Sequence, residues 1–225
     1  MSVTLKQARV AVRELLDEET PATFKDAHLD RWINEGCVEI ARSAEVLETS
    51  DTIDVVASTR EYDLPDDMIR AHRVDFEVDG DGRHATLGYR DFHNANAVQW
   101  HGDYEGMPTL YTMWGRPGAV KLVLYPSPAY TGTLTIHYYK LPTPPTDDTS
   151  TLDIPEGWEN VVYLYAEYRA LRRDRDPRWQ ESKALFDEAL GALYDISRRH
   201  TDQAGEITPD FGSTNSWLYE MDGGY

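Results

Sequence analysis

The sequence predicts an α+β fold: a helical bundle, formed by two N-terminal helices and a long C-terminal helical region, with an inserted β domain. Two changes of hydrophobic period support this prediction. Apolar residues recur at helical spacing before residue 47 and after residue 154, but alternate with a period of two in between. We divide the chain into helical-body segments 1–50 and 154–200, a β domain 51–141, a linker 142–153 and an extended tail 201–225.

The N-terminal segment contains two amphipathic helical patterns. The first spans residues 4–17 and ends at Glu18-Glu19-Thr20-Pro21. The second spans residues 24–46 and is predicted to begin with Thr23 as its capping residue, followed by the acidic Asp26. Its apolar face consists of Leu29, Trp32, Ile33, Cys37, Ile40, Ala41 and Ala44.

The β domain is predicted to be mostly antiparallel, because its connections are too short for crossover helices. In residues 72–78, His72, Val74, Phe76 and Val78 are predicted to share one face. Asp79-Gly80-Asp81-Gly82 supplies a tight turn. Further strands are predicted at 83–87, 110–114, 120–125 and 133–141, whereas 88–105 is ambiguous, with a possible short helix over 90–98.

A proline-rich linker then leads into the C-terminal helical region. Ile154-Pro155-Glu156 favours a helix start, and Pro177 interrupts the helical pattern, since proline inside a helix costs about 3 kcal/mol. The first half carries Trp158, Val161, Val162, Tyr165 and Tyr168, and the second carries Trp179, Phe186, Ala189, Leu190, Leu193 and Ile196.

The charge is strongly negative: 40 acidic and 22 basic residues give a net charge of -18. Such a surface repels phosphate backbones and argues against DNA binding through an ordinary basic patch. Three interpretations remain open. The acidity suits a wall past which DNA slides, it confers solubility, or it adapts the protein to high salt, as in a halophilic or haloarchaeal host.

The sequence predicts no catalytic, cofactor or metal site, so we expect no enzyme activity. The single cysteine, Cys37, lies on an apolar helical face. His93 and His101 do not have the spacing of a helical metal-binding pair, and no nucleophile elbow or phosphate-binding loop is present. The start of the chain lacks the apolar stretch of a signal peptide, and no segment is apolar enough for a membrane span.

Aromatic residues indicate interfaces. The chain contains six Trp and fourteen Tyr but only five Phe. Tyr and Trp combine a large apolar area with a polar group, which is typical of protein interfaces and also of sugar-binding sites. A third interpretation is that they fill the core of a monomer.

The tail contains apolar residues in a segment too polar to form its own core. These are Phe211, Trp217, Leu218, Tyr219, Met221 and Tyr225. They are typical of anchors that become ordered on a partner, and the alternative is a disordered end.

The order of elements carries a resemblance to a known family. Tyr62-Asp63-Leu64-Pro65-Asp66-Asp67-Met68-Ile69-Arg70 leads into the alternating run 72–78, and Gly106-Met107-Pro108-Thr109-Leu110-Tyr111, 122–128 and 132–139 follow, with helices on both sides. Between about Thr4 and Arg199 the chain resembles the head-tail adaptor, or connector, proteins of tailed double-stranded DNA viruses.

The resemblance implies a structural virion protein at the capsid-tail junction, present in the host cytoplasm during assembly. Its partners would be itself in a ring of twelve copies, the portal protein, a downstream tail or neck protein, and double-stranded DNA passing non-specifically through the lumen. The tail residues would dock on the portal. Helices 24–46 and 156–199 would form the ring body, with subunit packing assigned to Trp32, Ile33, Ile40, Trp158, Tyr165, Trp179 and Phe186. One alternative is a carbohydrate-binding or cell-wall-degrading virion component, and another is a cytosolic protein unconnected with viruses.

Overall fold

The computed structural model describes residues 2–18, 23–91, 104–116 and 119–203. Helices and mixed sheets are both present, so the α+β class is confirmed. The helices are α1 (Leu5–Leu15), α2 (Asp26–Ala44), α3 (Glu159–Asp174) and α4 (Trp179–Gln203). None of the helices in the described ranges is long and apolar enough to cross a membrane.

The strands occupy the chain between α2 and α3. They are β1 (Glu48–Val55), β2 (Glu61–Asp63), β3 (Met68–Val78), β4 (His84–Thr86), β5 (Gly88–Tyr89), β6 (Glu105–Gly106), β7 (Leu110–Arg116), β8 (Ala119–Tyr125), β9 (Ser127–Pro128) and β10 (Gly132–Lys140). One sheet has the order β1-β10-β3-β4, a second has the order β2-β8-β7-β5, and β6 pairs with β9. Pairing is antiparallel except for β5 with β7 and β6 with β9, so the mostly antiparallel prediction holds.

The start of α2 differs from the sequence prediction. Thr23 does not cap this helix; Lys25 occupies the capping position without a side-chain hydrogen bond. The N–H of Thr23 instead donates to the carboxylate of Glu18. At α1, by contrast, Thr4 and Gln7 form a capping box, in which Gln7 Oε1 accepts from the Thr4 N–H at 2.9 Å.

The four helices share one apolar core. At its centre Gly36 of α2 lies against Tyr165 of α3, where a Cβ atom would be 3.1 Å from Tyr165 Cδ1. Tyr165 also makes an edge contact with Phe186 of α4, with ring centroids 5.3 Å apart. Glycine therefore allows α2 and α3 to approach closely.

The two larger sheets enclose a second core. Val74, Phe76, Leu134 and Ile136 from the first sheet are fully buried, together with Leu122 and Leu124 from the second. Gly80 and Gly82 have positive φ values of 78° and 69°, which confirms the predicted reversal between β3 and β4.

Two predictions in the β domain are wrong. His72 is exposed rather than sharing the buried face of Val74, because the β10–β3 register shifts next to His137. β1 begins at Glu48 instead of residue 51, since the left-handed conformation of Glu45 (φ 49°) ends α2 early. The possible helix over 90–98 lies mainly outside the described residues, and Gly88–Tyr89 is a short strand.

The C-terminal helices break where the sequence predicted. α3 ends at Asp174, Arg175 adopts a left-handed conformation (φ 61°), and α4 begins two residues after Pro177. The start of α3 is later than predicted: Gly157 has φ 86°, so the helix begins at Glu159 rather than at Pro155.

Candidate assembly surfaces

The residues predicted for subunit packing belong to the interior of one chain. Five of them are buried in the helical core: Trp32, Ile33, Ile40, Tyr165 and Phe186. The remaining two, Trp158 and Trp179, are partly buried and pack against the same core. Most of their apolar area therefore packs within the chain, and their role in packing between subunits stays a prediction.

The outward side of α4 carries an apolar stripe that remains exposed among the described residues. Leu185 is 48% exposed and Ile196 is 41% exposed, with the exposed Ala192 between them. Ala192 follows Leu185 by seven residues and precedes Ile196 by four, so all three lie on one side of the helix. We call this surface the α4 stripe.

A row of carboxylates runs beside the α4 stripe. Glu181, Glu188 and Asp195 are exposed and repeat every seven residues, which places them on one line along the helix. Within the described part of the chain, none of the three forms an ion pair. The outer face of α4 is thus both apolar and acidic, and a complementary surface would be apolar and basic.

A basic patch lies where the start of α2 meets the end of α3. The Arg173 guanidinium contacts His28 Nδ1 at 2.6 Å, and Arg31 and Arg173 each lie 5.8 Å from the ring centroid of Trp32. Lys25 and Arg172 are exposed beside them. We call Lys25, His28, Arg31, Arg172 and Arg173 the basic patch.

The cations of the basic patch lie close enough to disfavour the charged form of its histidine. The pKa of His28 is lowered, first by partial burial and then by the positive charges of Arg173, Arg31 and Lys25. In a chain with a net charge of -18, this is a local reversal of sign.

A cleft separates the end of the helical bundle from the first sheet. It has a volume of about 420 Å³, with apolar walls that include Trp158, Leu193 and Ile196. Glu45 and Glu48 line its acidic rim, where Glu48 Oε1 lies 2.8 Å from His72 Nε2. The cleft adjoins the C-terminal end of the α4 stripe through Ile196.

The far end of the β domain presents exposed apolar side chains. Val56, Tyr104 and Tyr130 are exposed there, and the Arg83 guanidinium lies 4.5 Å from the ring centroid of Tyr130. Val56 directly follows β1, Tyr104 directly precedes β6, and Tyr130 lies just before β10. All three therefore lie at the end of the sheets that is remote from the helices.

Among the described residues, Cys37 is buried in the helical core. Burial raises the pKa of the Cys37 thiol to about 12, which keeps it protonated and unreactive. Among these residues, no three His, Cys, Asp or Glu side chains group closely enough to hold a metal ion. His93 and His101, and the tail residues from Phe211 to Tyr225, lie outside the described ranges.

The sequence contains signals for the basic patch and for the α4 stripe. The run Arg172-Arg173-Asp174-Arg175 predicts a helix break, and its first two arginines also belong to the basic patch, to which α2 adds Arg31. Ile196 appeared among the core positions because its spacing from Trp179 and Leu193 fits one broad apolar face. Periodicity alone does not separate the buried apolar face of α4 from the adjacent, exposed α4 stripe.

Comparison with known proteins identifies a family. The model of the family described as SU10 adaptor protein matches residues 3–209. No curated protein matches the sequence. A chain in the neck of an empty GTA particle, computed with C6 symmetry, is 13% identical, covering 76% of this chain and 84% of that chain with a TM-score of 0.26. That structural likeness is too low to support an argument.

Proposed function

Since the chain belongs to the SU10 adaptor protein family, we propose that it is a structural virion protein that connects the head of a tailed virus to its tail. The observation that carries this proposal is the extent of the family match, residues 3–209, which includes both helical segments and the whole β domain. The proposed location is the neck of the virion, and the proposed activity is assembly without a chemical reaction.

The proposed assembly is a ring of twelve copies beneath the portal. Repeated copies turn a weak contact into a strong one, because each added contact acts at high effective concentration. A ring of one chain type also needs two different surfaces on each subunit, one for each neighbour. In this proposal the outer face of α4, with its row of carboxylates, and the basic patch would serve as two such surfaces of opposite charge.

The proposed contacts along the ring axis use the C-terminal tail and the far end of the β domain. The tail residues Phe211 and Trp217 to Tyr219 would anchor on the portal, while the exposed Val56, Tyr104 and Tyr130 would meet the next neck or tail component. Large exposed aromatic side chains lose little conformational freedom on binding, which suits them to this use.

The proposed lumen carries double-stranded DNA without binding it tightly. A net charge of -18 repels phosphates, so DNA would move past the wall during packaging and ejection. In this assignment the protein first meets its partners in the host cytoplasm, during virion assembly.

The deciding experiment is the mass of the purified chain, alone and mixed with the portal protein of the same genome, by light scattering. A ring-sized complex that contains portal protein is the expected result. A monomer in both samples would contradict the adaptor function. Micromolar binding to glycans, or hydrolysis of cell-wall polymers, would instead support the carbohydrate-binding alternative.

A further inference from the structure

We propose that the α4 stripe and its row of carboxylates pack against the basic patch of a second copy, and that this contact repeats around the ring. The inference rests on the proposed function, because it names the subunit contact of that assembly. The α4 stripe is the surface that needs a partner: Leu185, Ala192 and Ile196 lie along three turns of one helix and remain exposed.

The chemistry of the α4 outer face specifies what covers it. Its apolar stripe favours a protein surface, and Glu181, Glu188 and Asp195 favour one that carries cations. The basic patch supplies the cations, since Arg31 and Arg173 lie over the buried indole of Trp32 with their guanidinium groups outward of the core. The aliphatic carbon of its lysine and arginine side chains supplies apolar contact area.

The basic patch has cationic groups available for such a contact. The Arg31 side chain is 61% exposed, and its Nε lies 3.5 Å from Glu35, which is a weak surface pair. Lys25 and Arg172 are exposed as well, and within the described residues neither of them forms an ion pair. Arg172 lies instead 5.7 Å from the ring centroid of Trp179.

A second copy fits these observations better than DNA does. A phosphate backbone could bind the basic patch, but it would leave the α4 stripe exposed. It would also repel the row of carboxylates beside that stripe. A second copy uses both surfaces at once, and the contact is heterologous, because each subunit gives its α4 face to one neighbour and its basic patch to the other. Such a contact generates a ring when the rotation between neighbours closes.

Charge reversal on each side tests the contact. The first variant carries Lys25→Glu and Arg31→Glu, the second carries Glu188→Lys and Asp195→Lys, and a third combines all four substitutions. Lys6→Glu, an equivalent reversal at an exposed position of α1, is the control. All of these sites are exposed, and a thermal unfolding curve verifies that each variant is folded.

The readout is the mass of the assembly as a function of protein concentration, alone and with portal protein. We expect each double variant to weaken subunit association on the order of 100-fold, the combined variant to recover most of it, and Lys6→Glu to behave as wild type. Leu185→Ser should also weaken association, since it removes a large apolar side chain from the α4 stripe.

Four results would overturn the inference. Rings that persist in both double variants would exclude these surfaces and leave the adaptor function intact. Double variants that dissociate without recovery in the combined variant would refute the pairing of the two surfaces. Rings that persist while the Lys25→Glu, Arg31→Glu variant loses affinity for DNA would assign the basic patch to nucleic acid. A wild-type protein that never assembles would refute the inference together with the proposed function.

Discussion

Arg13 and Glu18 form an ion pair that is almost entirely removed from solvent. Arg13 Nη1 lies 2.8 Å from Glu18 Oε2, and the two side chains are only 8% and 10% exposed. Arg13 Nη2 also donates to the carbonyl oxygen of Phe24 at 2.9 Å and to Asp26 at 2.6 Å. One guanidinium thus joins the end of α1 to the residues that begin α2.

Loss of this guanidinium should destabilise the helical bundle. Arg13→Ala leaves the Glu18 carboxylate buried without its cation, and we expect the free energy of unfolding to fall by about 3–5 kcal/mol. Urea denaturation measures this change. Arg73→Ala is the matched control, because Arg73 pairs with Asp75 on the surface, where such a pair contributes about 1 kcal/mol or less. Equal losses in the two variants would show that the burial of the Arg13 pair is unimportant.

The contact between Gly36 and Tyr165 gives a second prediction. Gly36→Ala places a methyl group 3.1 Å from Tyr165 Cδ1, within the packed interior of the bundle. Alanine gains about 1 kcal/mol in helix propensity, but the overpacking costs about 1–3 kcal/mol, so we expect no gain or a net loss of stability. Urea denaturation of the variant and the wild type measures the difference.

Gly191 is the control for that substitution. It lies in α4, and a Cβ atom added there would meet no atom within 4 Å beyond its own stretch of helix. Gly191→Ala should therefore raise the free energy of unfolding by about 1 kcal/mol through propensity alone. If both alanine variants were stabilised equally, the close approach of α2 to Tyr165 would not limit packing.

Hydrophobic periodicity was sufficient to predict the fold class and most elements. Pro177 marked the break between α3 and α4 because its ring cannot continue a helix, and Gly80 and Gly82 marked the reversal after β3. The position of His72 was not predictable, since it depends on a register shift beside His137 in a strand 65 residues away along the chain. Local pattern contains no information about such long-range pairing.

The surfaces were harder to predict than the core. Trp32 and Phe186 carry the strongest apolar signals in their helices, and both are buried within the chain, so a strong signal indicated folding rather than assembly. The basic patch combines Arg31 with Arg173, residues that come together only when α2 packs on α3. Its existence follows from tertiary structure and not from any single segment.

The stability of the α3–α4 contact should depend on pH through Glu167. Burial raises the pKa of this carboxyl group above its usual value of 4.5, although Ser182 Oγ donates a hydrogen bond to Glu167 Oε2 at 3.1 Å and partly opposes the shift. A raised folded pKa means that the contribution of Glu167 to stability is fully present below about pH 4.5 and is lost as the pH rises through the folded pKa.

Glu167→Gln should remove that dependence. Glutamine retains an oxygen acceptor for Ser182 and carries no charge, so we expect the variant to be more stable than wild type at pH 7 and equal to it near pH 4. Thermal unfolding at a series of pH values measures the difference. Glu39→Gln removes the same charge from an exposed site and controls for net charge. A constant difference across the pH series would contradict the proposed titration.

Removal of residues 205–225 should separate portal attachment from folding. Every described member of both apolar cores precedes residue 194, so the truncation removes none of them. We therefore expect the truncated chain to unfold with the same midpoint as the full chain and to fail to join portal-bearing heads. A truncated chain that still attaches would refute the proposed role of Trp217 and its neighbours.

The acidic surface predicts that salt stabilises the fold. Repulsion among 40 acidic side chains is screened progressively as the Debye length falls from about 10 Å at 0.1 M to about 3 Å at 1 M salt. If the chain is adapted to high salt, its unfolding temperature should rise steeply from dilute buffer to molar KCl, while the buried pair of Arg13 and Glu18 is little affected. Sucrose is the control for general exclusion of cosolutes. Full stability in dilute buffer, with no response to KCl, would contradict the adaptation and leave solubility or DNA passage as the reason for the charge.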